Sequence, residues 1–414
     1  PSLLLVLALA ALTSAVDVSF ITWNTALNPI ELYGPFVSVR RPLIQAAISS
    51  FDQDFVCLQE VLSEQDQLAI YNILKAKYPY SIFETKSASG PASGSPCPAD
   101  VANGPLAACI VKNCLQDTGV ACITANCGTQ IAELGSRCFN CLSKNIDLFT
   151  GAFELCSKES TLHYDVDHGV MMFSKHPLTD ARNNFFKTTA VFPRGYLTAT
   201  AQAGDVKLSL LCSHFTSDQP DVQYVQVPAD LEFTSWTQEH AGCVETSIDV
   251  MNSLINANNP DAAFLFGDLN TGPAFPAQNI VGELPQNFPP FADNCWQTAN
   301  TPDNQAGTPT PPFCTFCATT NTVFQGEGSD NLIDHVLYQG NVTPQWLTRL
   351  LDTLNDVTFE NGTAGRLHLS DHYALQLVAT VTPRGSLTNA DLFKCLANAK
   401  PSPAAPPAPS PATP

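Results

Sequence analysis

Phe264-Leu-Phe-Gly-Asp268-Leu-Asn270 reads as a short apolar strand whose end delivers a carboxylate and an amide two positions apart. In an extended segment both would lie on one face. The same construction recurs along the chain. Ile21-Thr-Trp-Asn24 ends in an amide, Val56-Cys-Leu-Gln-Glu60 in a carboxylate and Leu210-Leu-Cys-Ser-His214 in an imidazole. Leu332-Ile-Asp334 sets a carboxylate near a strand end, and Leu369-Ser-Asp371-His372 sets one beside a histidine. Any one of these is compatible with a turn or a helix cap. Six in one chain are not accounted for by turns and caps alone.

The stretches between them alternate in the manner of an α/β chain. Apolar runs at Val16–Trp23 and Phe55–Leu58 predict strands, with helices expected around Arg41–Phe51 and Glu64–Lys77. Further strands are predicted at Gly169–Ser174, Tyr196–Ala201, Val206–Cys212, Ala262–Phe266, Leu332–Tyr338 and Tyr373–Val381, and a helix at Cys243–Ala257. The stretch 273–320, rich in Pro, Asn and Phe, has no period, and an aperiodic stretch of that length in a compact domain is usually functional or mobile.

The six fragments supply what phosphodiester hydrolysis needs: a base for water, oxygen ligands for a cation, and donors for the phosphoryl oxygens. Glu60, with Asn24 and Asp371, offers hard oxygen ligands for Mg²⁺ or Mn²⁺. His372 is the candidate base, and Asp334 the carboxylate that fixes its tautomer. His214 and Asn270 are candidate donors to the phosphate, and Asp268 orients the nucleophile or its neighbours.

In order and wording these fragments resemble the endonuclease/exonuclease/phosphatase (DNase I-like) superfamily. The matching stretches are Thr22-Trp-Asn24, Cys57-Leu-Gln-Glu60, Ser213-His214, Gly267-Asp-Leu-Asn270, Ile333-Asp334 and Ser370-Asp-His372. The resemblance implies an α/β (α+β) four-layer sandwich, two packed and mostly antiparallel β-sheets flanked by helices, with the site at one rim. It also implies Glu60 as metal ligand, Asp334 and His372 as the base dyad, and Asp268, Asn270 and His214 around the phosphate. Asn24-Thr25-Ala26 departs from the Asn-x-Asp of abasic-site endonucleases, and Leu332-Ile-Asp334-His335 from the Trp-Cys-Asp-Arg of inositol polyphosphate 5-phosphatases. Secreted DNases and secreted neutral sphingomyelinases remain. Gly169-Val-Met-Met-Phe-Ser-Lys-His-Pro-Leu178, Arg194-Gly-Tyr-Leu197 and the position of Asn321 look similar to the sphingomyelinase branch. Arg194 and Asn321 are therefore candidate substrate-binding residues, although a solvated surface position is the plainer expectation for Arg194 and for Lys175.

A formal net charge of −19 with no cluster of Lys and Arg lacks the usual footprint of a nucleic-acid binder. The balance favours a lipid headgroup over DNA as the phosphodiester. Tyr224–Trp236, apolar and expected near the site, either makes a peripheral membrane contact or packs against the cysteine-rich insert expected at 86–160. Residues 1–15 read as a signal peptide without its initiating Met, and no transmembrane segment is expected. Fifteen cysteines favour an oxidising, extracellular setting and disulfides over zinc at Cys138–Cys141 and Cys314–Cys317. Asn341-Val-Thr343 and Asn361-Gly-Thr363 are glycosylation sequons.

Eight of the cysteines fall in 86–160, which is expected to be a disulfide-bonded insert. It would divide a catalytic domain of 16–85 and 161–383, followed by an extension over 384–414 with a Pro/Ala-rich tail. Two other readings stay open at this level: a secreted DNase I-like endonuclease, and a non-catalytic binding protein acting through its insert.

Overall fold

The computed structural model describes residues 14–28, 35–83, 95–114, 120–135, 138–139, 141–142, 150–158, 168–188, 193–220, 222–227, 232–323 and 328–396. The stretch expected to be a signal peptide, up to residue 13, most of the Ser-rich stretch before Cys97 and the Pro/Ala-rich tail lie outside them.

Two large sheets stack face to face. The first has the order β10-β14-β17-β1-β2-β4-β3. It contains β1 (Val16–Leu27), β2 (Phe55–Val61), β3 (Tyr80–Ile82), β4 (Met171–Ser174), β10 (Gly307–Thr308), β14 (Val342–Leu350) and β17 (Ala374–Val381). The second has the order β5-β6-β7-β8-β13-β9. It contains β5 (Leu178–Phe185), β6 (Gly195–Ala203), β7 (Val206–His214), β8 (Ala262–Asp268), β9 (Gln297–Thr298) and β13 (Asp334–Gly340). Two short pairs complete the set: β11 (Phe316–Cys317) with β12 (Asp330–Asn331), and β15 (Asn355–Thr358) with β16 (Ala364–Leu367). Most pairings are antiparallel. The exceptions in the body of the sheets, β1 with β2 and β7 with β8, are those joined through a helix, α1 (Val37–Ser49) and α6 (Trp236–Asn258) respectively.

The apolar runs of the sequence are continuous because these strands are covered on both faces. In β1, Val18 and Phe20 enter the layer between the sheets, while Ile21 and Trp23 pack outward with Ile44 and Ile48 of α1 and Ile70 of α2 (Glu64–Leu74). In β8, Phe264 and Phe266 face the same middle layer, and Ala263 and Leu265 face Val244 and Met251 of α6. Phe20 and Phe264 stack at 4.2 Å between ring centroids, so the two central strands meet directly. Cys57 of β2 and Cys212 of β7 form a disulfide in this layer, a covalent tie between the sheets.

The eight cysteines from Cys97 to Cys156 pair among themselves, 97–138, 109–127, 114–122 and 141–156. The nested pairs join α3 (Pro105–Asn113) to α4 (Val120–Ala132), and α5 (Thr150–Cys156) joins the same apolar cluster. Val225 and Val227 are buried in that cluster. Of the loop Tyr224–Trp236, Val225 and Val227 thus pack against the cysteine-rich region, as one of the two expectations had it; residues 228–231 lie outside the described residues. Cys314 pairs with Cys317, and Cys295 with Cys395. That leaves Cys243 as the buried free thiol.

Several sequence boundaries move. The helix predicted at Cys243–Ala257 runs over Trp236–Asn258, extended at its start by Ser235, whose side chain accepts the N–H of Gln238. The polar strand β5 escaped notice because it is an edge, exposed along most of its length, and has no apolar alternation to read.

Candidate active site

The parallel pairs β1/β2 and β7/β8 all point their C-terminal ends to one rim. Antiparallel β13 starts at that rim, with Asp334 in register with Asp268, and β17 starts there just after His372. This is why six separate fragments converge. The chain then leaves the rim abruptly: Ala26, Glu60 and Asn270 all have left-handed backbone, with φ of 45°, 56° and 46°. Asn270 is thus not on an extended segment with Asp268, as the spacing suggested. A tight turn brings the two together, the N–H of Asn270 donating to Asp268 Oδ1 at 3.0 Å. Gly267 has φ of 152°, and a Cβ there would meet the carbonyl of Ser213 at 2.0 Å, so the glycine before Asp268 is set by close approach to β7.

His372 Nδ1 lies 2.8 Å from Asp334 Oδ2, both side chains being buried. Asp268 Oδ2 is 3.7 Å from His372 Nε2 and 3.3 Å from His214 Nε2, and accepts a hydrogen bond from Asn24 Nδ2 at 2.9 Å. Asn24 Oδ1 accepts the N–H of Ala26, which fixes the amide's orientation. Around these groups the scaffold is closed. Trp23 Nε1 donates to the carbonyl of His372 at 3.1 Å, and Ser370 Oγ to the carbonyl of Asn24 at 2.7 Å.

Arg194 is 6% exposed, which corrects the expectation of a solvated surface residue. It is anchored just before β6, next to β7 in the sheet, so its side chain reaches the rim. Its Nη1 lies 2.9 Å and 3.0 Å from the two ring nitrogens of His214. Lys175 does stand at the surface, with Nζ 2.9 Å from Asp52. Asn321 is corrected in the other sense. Its amide is buried and donates to the carbonyls of Ser370 (2.8 Å) and Asp371 (3.2 Å), holding the loop before His372 without lining the cavity.

That cavity, of about 720 Å³, is walled by Asn24, Glu60, Arg194, Asp268, Asp371 and His372 among others. Asp218, Glu283 and Phe316 also line it and went unread. Glu283 and Phe316 lie in the aperiodic stretch 273–320, where nothing in the sequence separates a wall residue from a loop residue.

Electrostatics follow from burial and crowding. Burial, and then the charge of Arg194, push His214 down to about 4, so its ring is neutral. Burial opposes protonation of His372 too, but Asp334 and Asp268 overcome it and hold the imidazole well above its usual range. Asp268, despite its burial, is held well below the carboxylate range by His372 and His214. Burial and Asp371 raise Glu60 to about 7. Burial and Asp268 raise Glu283 to about 8.

A carboxyl held that high beside other carboxylates is one a cation would relieve. Glu60, Asp371 and the Asn24 side-chain carbonyl all line this cavity and could offer the oxygen ligands that Mg²⁺ or Mn²⁺ takes. Asp268, Asp334 and His372 also have candidate ligand atoms within 4.8 Å of one another, although His372 Nδ1 there is already paired with Asp334.

Residues 21–372 match the Endonuclease/Exonuclease/phosphatase family. No curated protein sequence matches. Among solved structures, sphingomyelinase C from Streptomyces griseocarneus is similar at a TM-score of 0.51 and 16% identity, over 88% of this chain and 99% of that one. A family protein from Bacteroides thetaiotaomicron is similar at 0.51 and 11%, over 89% and 99%. Beta toxin from Staphylococcus aureus, with bound magnesium ions, is similar at 0.50 and 14%, over 87% and 99%. At these identities the likeness is one of fold.

Proposed function

The chain belongs to the Endonuclease/Exonuclease/phosphatase family, and from that premise we propose that it is a secreted, divalent-cation-dependent phosphodiesterase. The observation that carries this reading is the buried His372–Asp334 pair opening, with Asp268, His214 and Arg194, onto one cavity.

In the proposed reaction His372 Nε2 takes the proton of an attacking water as its oxygen bonds to phosphorus and the P–O bond to the leaving alcohol breaks, the alkoxide being protonated by the imidazolium or by solvent, while Asp334 keeps the Nδ1–H in place and stabilises the imidazolium. Asp268, beside Nε2, orients the nucleophile. Arg194, Asn270 and neutral His214 donate to the phosphoryl oxygens. A divalent cation, when bound by Glu60, Asp371 and Asn24, supplies charge that neutralises the phosphoryl oxygens and offsets the carboxylates that hold His372 protonated.

A lipid headgroup is the favoured substrate class. A net charge of −19, and a cavity wall with Arg194 as its fixed cation among Glu60, Asp218, Asp268, Glu283 and Asp371, offer little to a polyanion. Seven disulfides support an extracellular location. Among the described residues no helix is long and apolar enough to cross a membrane. Any membrane contact is therefore proposed to be peripheral.

The test is Mg²⁺-dependent hydrolysis of sphingomyelin vesicles, double-stranded DNA and bis-p-nitrophenyl phosphate, with His372→Ala as control. Headgroup release lost in the variant supports the lipid reading, and DNA cleavage instead moves the chain to an endonuclease. Silence on all three favours a binding protein.

A further inference from the structure

Asp334 begins a strand of the second sheet, and His372 lies at the entry to a strand of the first. Their 2.8 Å contact therefore depends on how two chain segments from different sheets are held to each other. Thr315 is bonded to both. Its Oγ1 accepts the backbone N–H of Asp334 (3.0 Å) and of Ile333 (3.2 Å), and its carbonyl accepts the N–H of Tyr373 at 2.8 Å. Its own N–H donates to the carbonyl of Asn331 at 2.9 Å. The next residue, Phe316, forms a β-bridge with His372 and sets its ring edge-on to the imidazole at 5.2 Å.

The chain on either side of Thr315 belongs to the aperiodic stretch, and the next two residues, Phe316 and Cys317, form the short β11 that pairs with β12. The disulfide Cys314–Cys317 closes a loop around Thr315 and Phe316. Arg349 holds this loop from behind, its Nη1 donating to the carbonyl of Cys314 at 3.3 Å and lying 3.5 Å and 3.4 Å from the two sulfurs.

We propose that the Cys314–Cys317 disulfide is a positioning element for the Asp334–His372 dyad, fixing the Thr315–Phe316 step that joins the two sheets at the site. This rests on the hydrolase reading above. The stabilisation a disulfide gives by restricting the unfolded chain grows with the loop it closes. A sequence separation of 3 is the smallest of the seven, against 155 for Cys57–Cys212 and 100 for Cys295–Cys395. This bond therefore adds least to global stability while flanking the two residues that touch the dyad segments, and its loss should be felt in turnover before it is felt in folding.

The experiment compares the wild type, Cys314→Ser/Cys317→Ser, Thr315→Val, Thr315→Ser and His372→Ala. Each is assayed on bis-p-nitrophenyl phosphate with Mg²⁺, alongside urea unfolding and amide hydrogen exchange at Asp334 and Tyr373. The expected result for the double serine variant is a kcat lower by about 10–10²-fold, the scale of a small misplacement of catalytic groups. Its KM should stay within about twofold, its unfolding midpoint should be little changed, and exchange at Asp334 and Tyr373 should be faster. Thr315→Val should fall with it, and Thr315→Ser should retain turnover.

Wild-type kcat together with unchanged exchange in the double serine variant overturns the proposal, as does a loss of kcat that merely follows a lower unfolding midpoint. Full activity of His372→Ala, or no turnover by the wild type, sinks the hydrolase reading instead. The exchange measurement then still decides whether the disulfide holds Asp334 and Tyr373 in place.

Discussion

His372 and Asp334 are separated by 38 positions in sequence and by the boundary between two sheets, yet His372 Nδ1 and Asp334 Oδ2 meet at 2.8 Å with both side chains buried. The contact leaves Nε2 turned toward the cavity and toward Asp268, 3.7 Å away. An imidazole held in this manner has one nitrogen committed to orientation and one available for proton transfer.

Replacing His372 by Ala should lower kcat by about 10²–10⁴-fold, the usual contribution of a positioned general base. Asp334→Asn should preserve the geometry but favour the wrong tautomer, so its kcat should fall while KM changes little. Steady-state hydrolysis of a chromogenic phosphodiester measures both, and near-wild-type turnover by His372→Ala would remove it from the base role.

Turnover should stop on chelation with EDTA and return with Mg²⁺ or Mn²⁺. Glu60 titrates near 7 without a cation because of burial and Asp371. Cation binding must displace that proton, so apparent affinity should rise between pH 6 and pH 8. Calorimetric titration at several pH values reads this directly. Glu60→Gln should bind more weakly and lose most of the pH dependence.

Arg194→Ala should lower kcat/KM by about 10²-fold, the scale for removing one preorganised donor to a developing oxyanion. Arg194→Lys keeps the charge but not the planar fork and should recover only part of the loss. A wild-type kcat/KM for Arg194→Ala would confine the residue to supporting His214.

Much of the site could be read from strand ends. Asn24, Glu60, His214 and Asp268 each follow an apolar run, and strand ends of two stacked sheets must share a rim. Pairing Asp334 with His372 rests on what the chemistry of the set requires and on the resemblance, since no local pattern reveals the contact. Arg194 was misjudged because its burial depends on a neighbouring strand, and Asn321 because an amide bonded to distant carbonyls looks the same in sequence as one facing a ligand. Thr315, Phe316 and Glu283 lie in a loop shaped by tertiary contacts and a disulfide, where neither period nor propensity carries information.

Removing the Cys57–Cys212 tie should test how far the sheets depend on it. The pair is buried between them and closes a separation of 155 residues. Cys57→Ala/Cys212→Ala should lose about 2–5 kcal/mol in urea unfolding. Turnover of the folded fraction should be largely kept, since both sulfurs lie in the middle layer and away from the cavity wall.

Two buried histidines should make the fold acid-sensitive above the range where most carboxylates titrate. His240 donates through Nε2 to the carbonyl of Leu269 at 2.8 Å, and its Nδ1 accepts from Asn287 at 3.0 Å. His335 donates through Nε2 to the carbonyl of Thr271 at 2.9 Å. Both rings thus hold the turn that carries Asp268 and Asn270, and both do so as neutral groups: burial pushes each from 6.5 down to about 4. Between those values these two rings bind protons in the unfolded chain that they do not bind in the folded one, so the stability they contribute is lost as pH drops from about 6.5 to about 4, while the raised carboxyls of Glu60 and Glu283 act in the opposite sense. The combined loss is on the order of a few kcal/mol. Urea unfolding at pH 7, 6 and 5 measures the slope. In His240→Gln, which can still donate to Leu269 but does not titrate, acidification should cost less stability than in the wild type even though stability at pH 7 is lower. An equal slope in the variant and the wild type would mean that other groups carry the acid sensitivity.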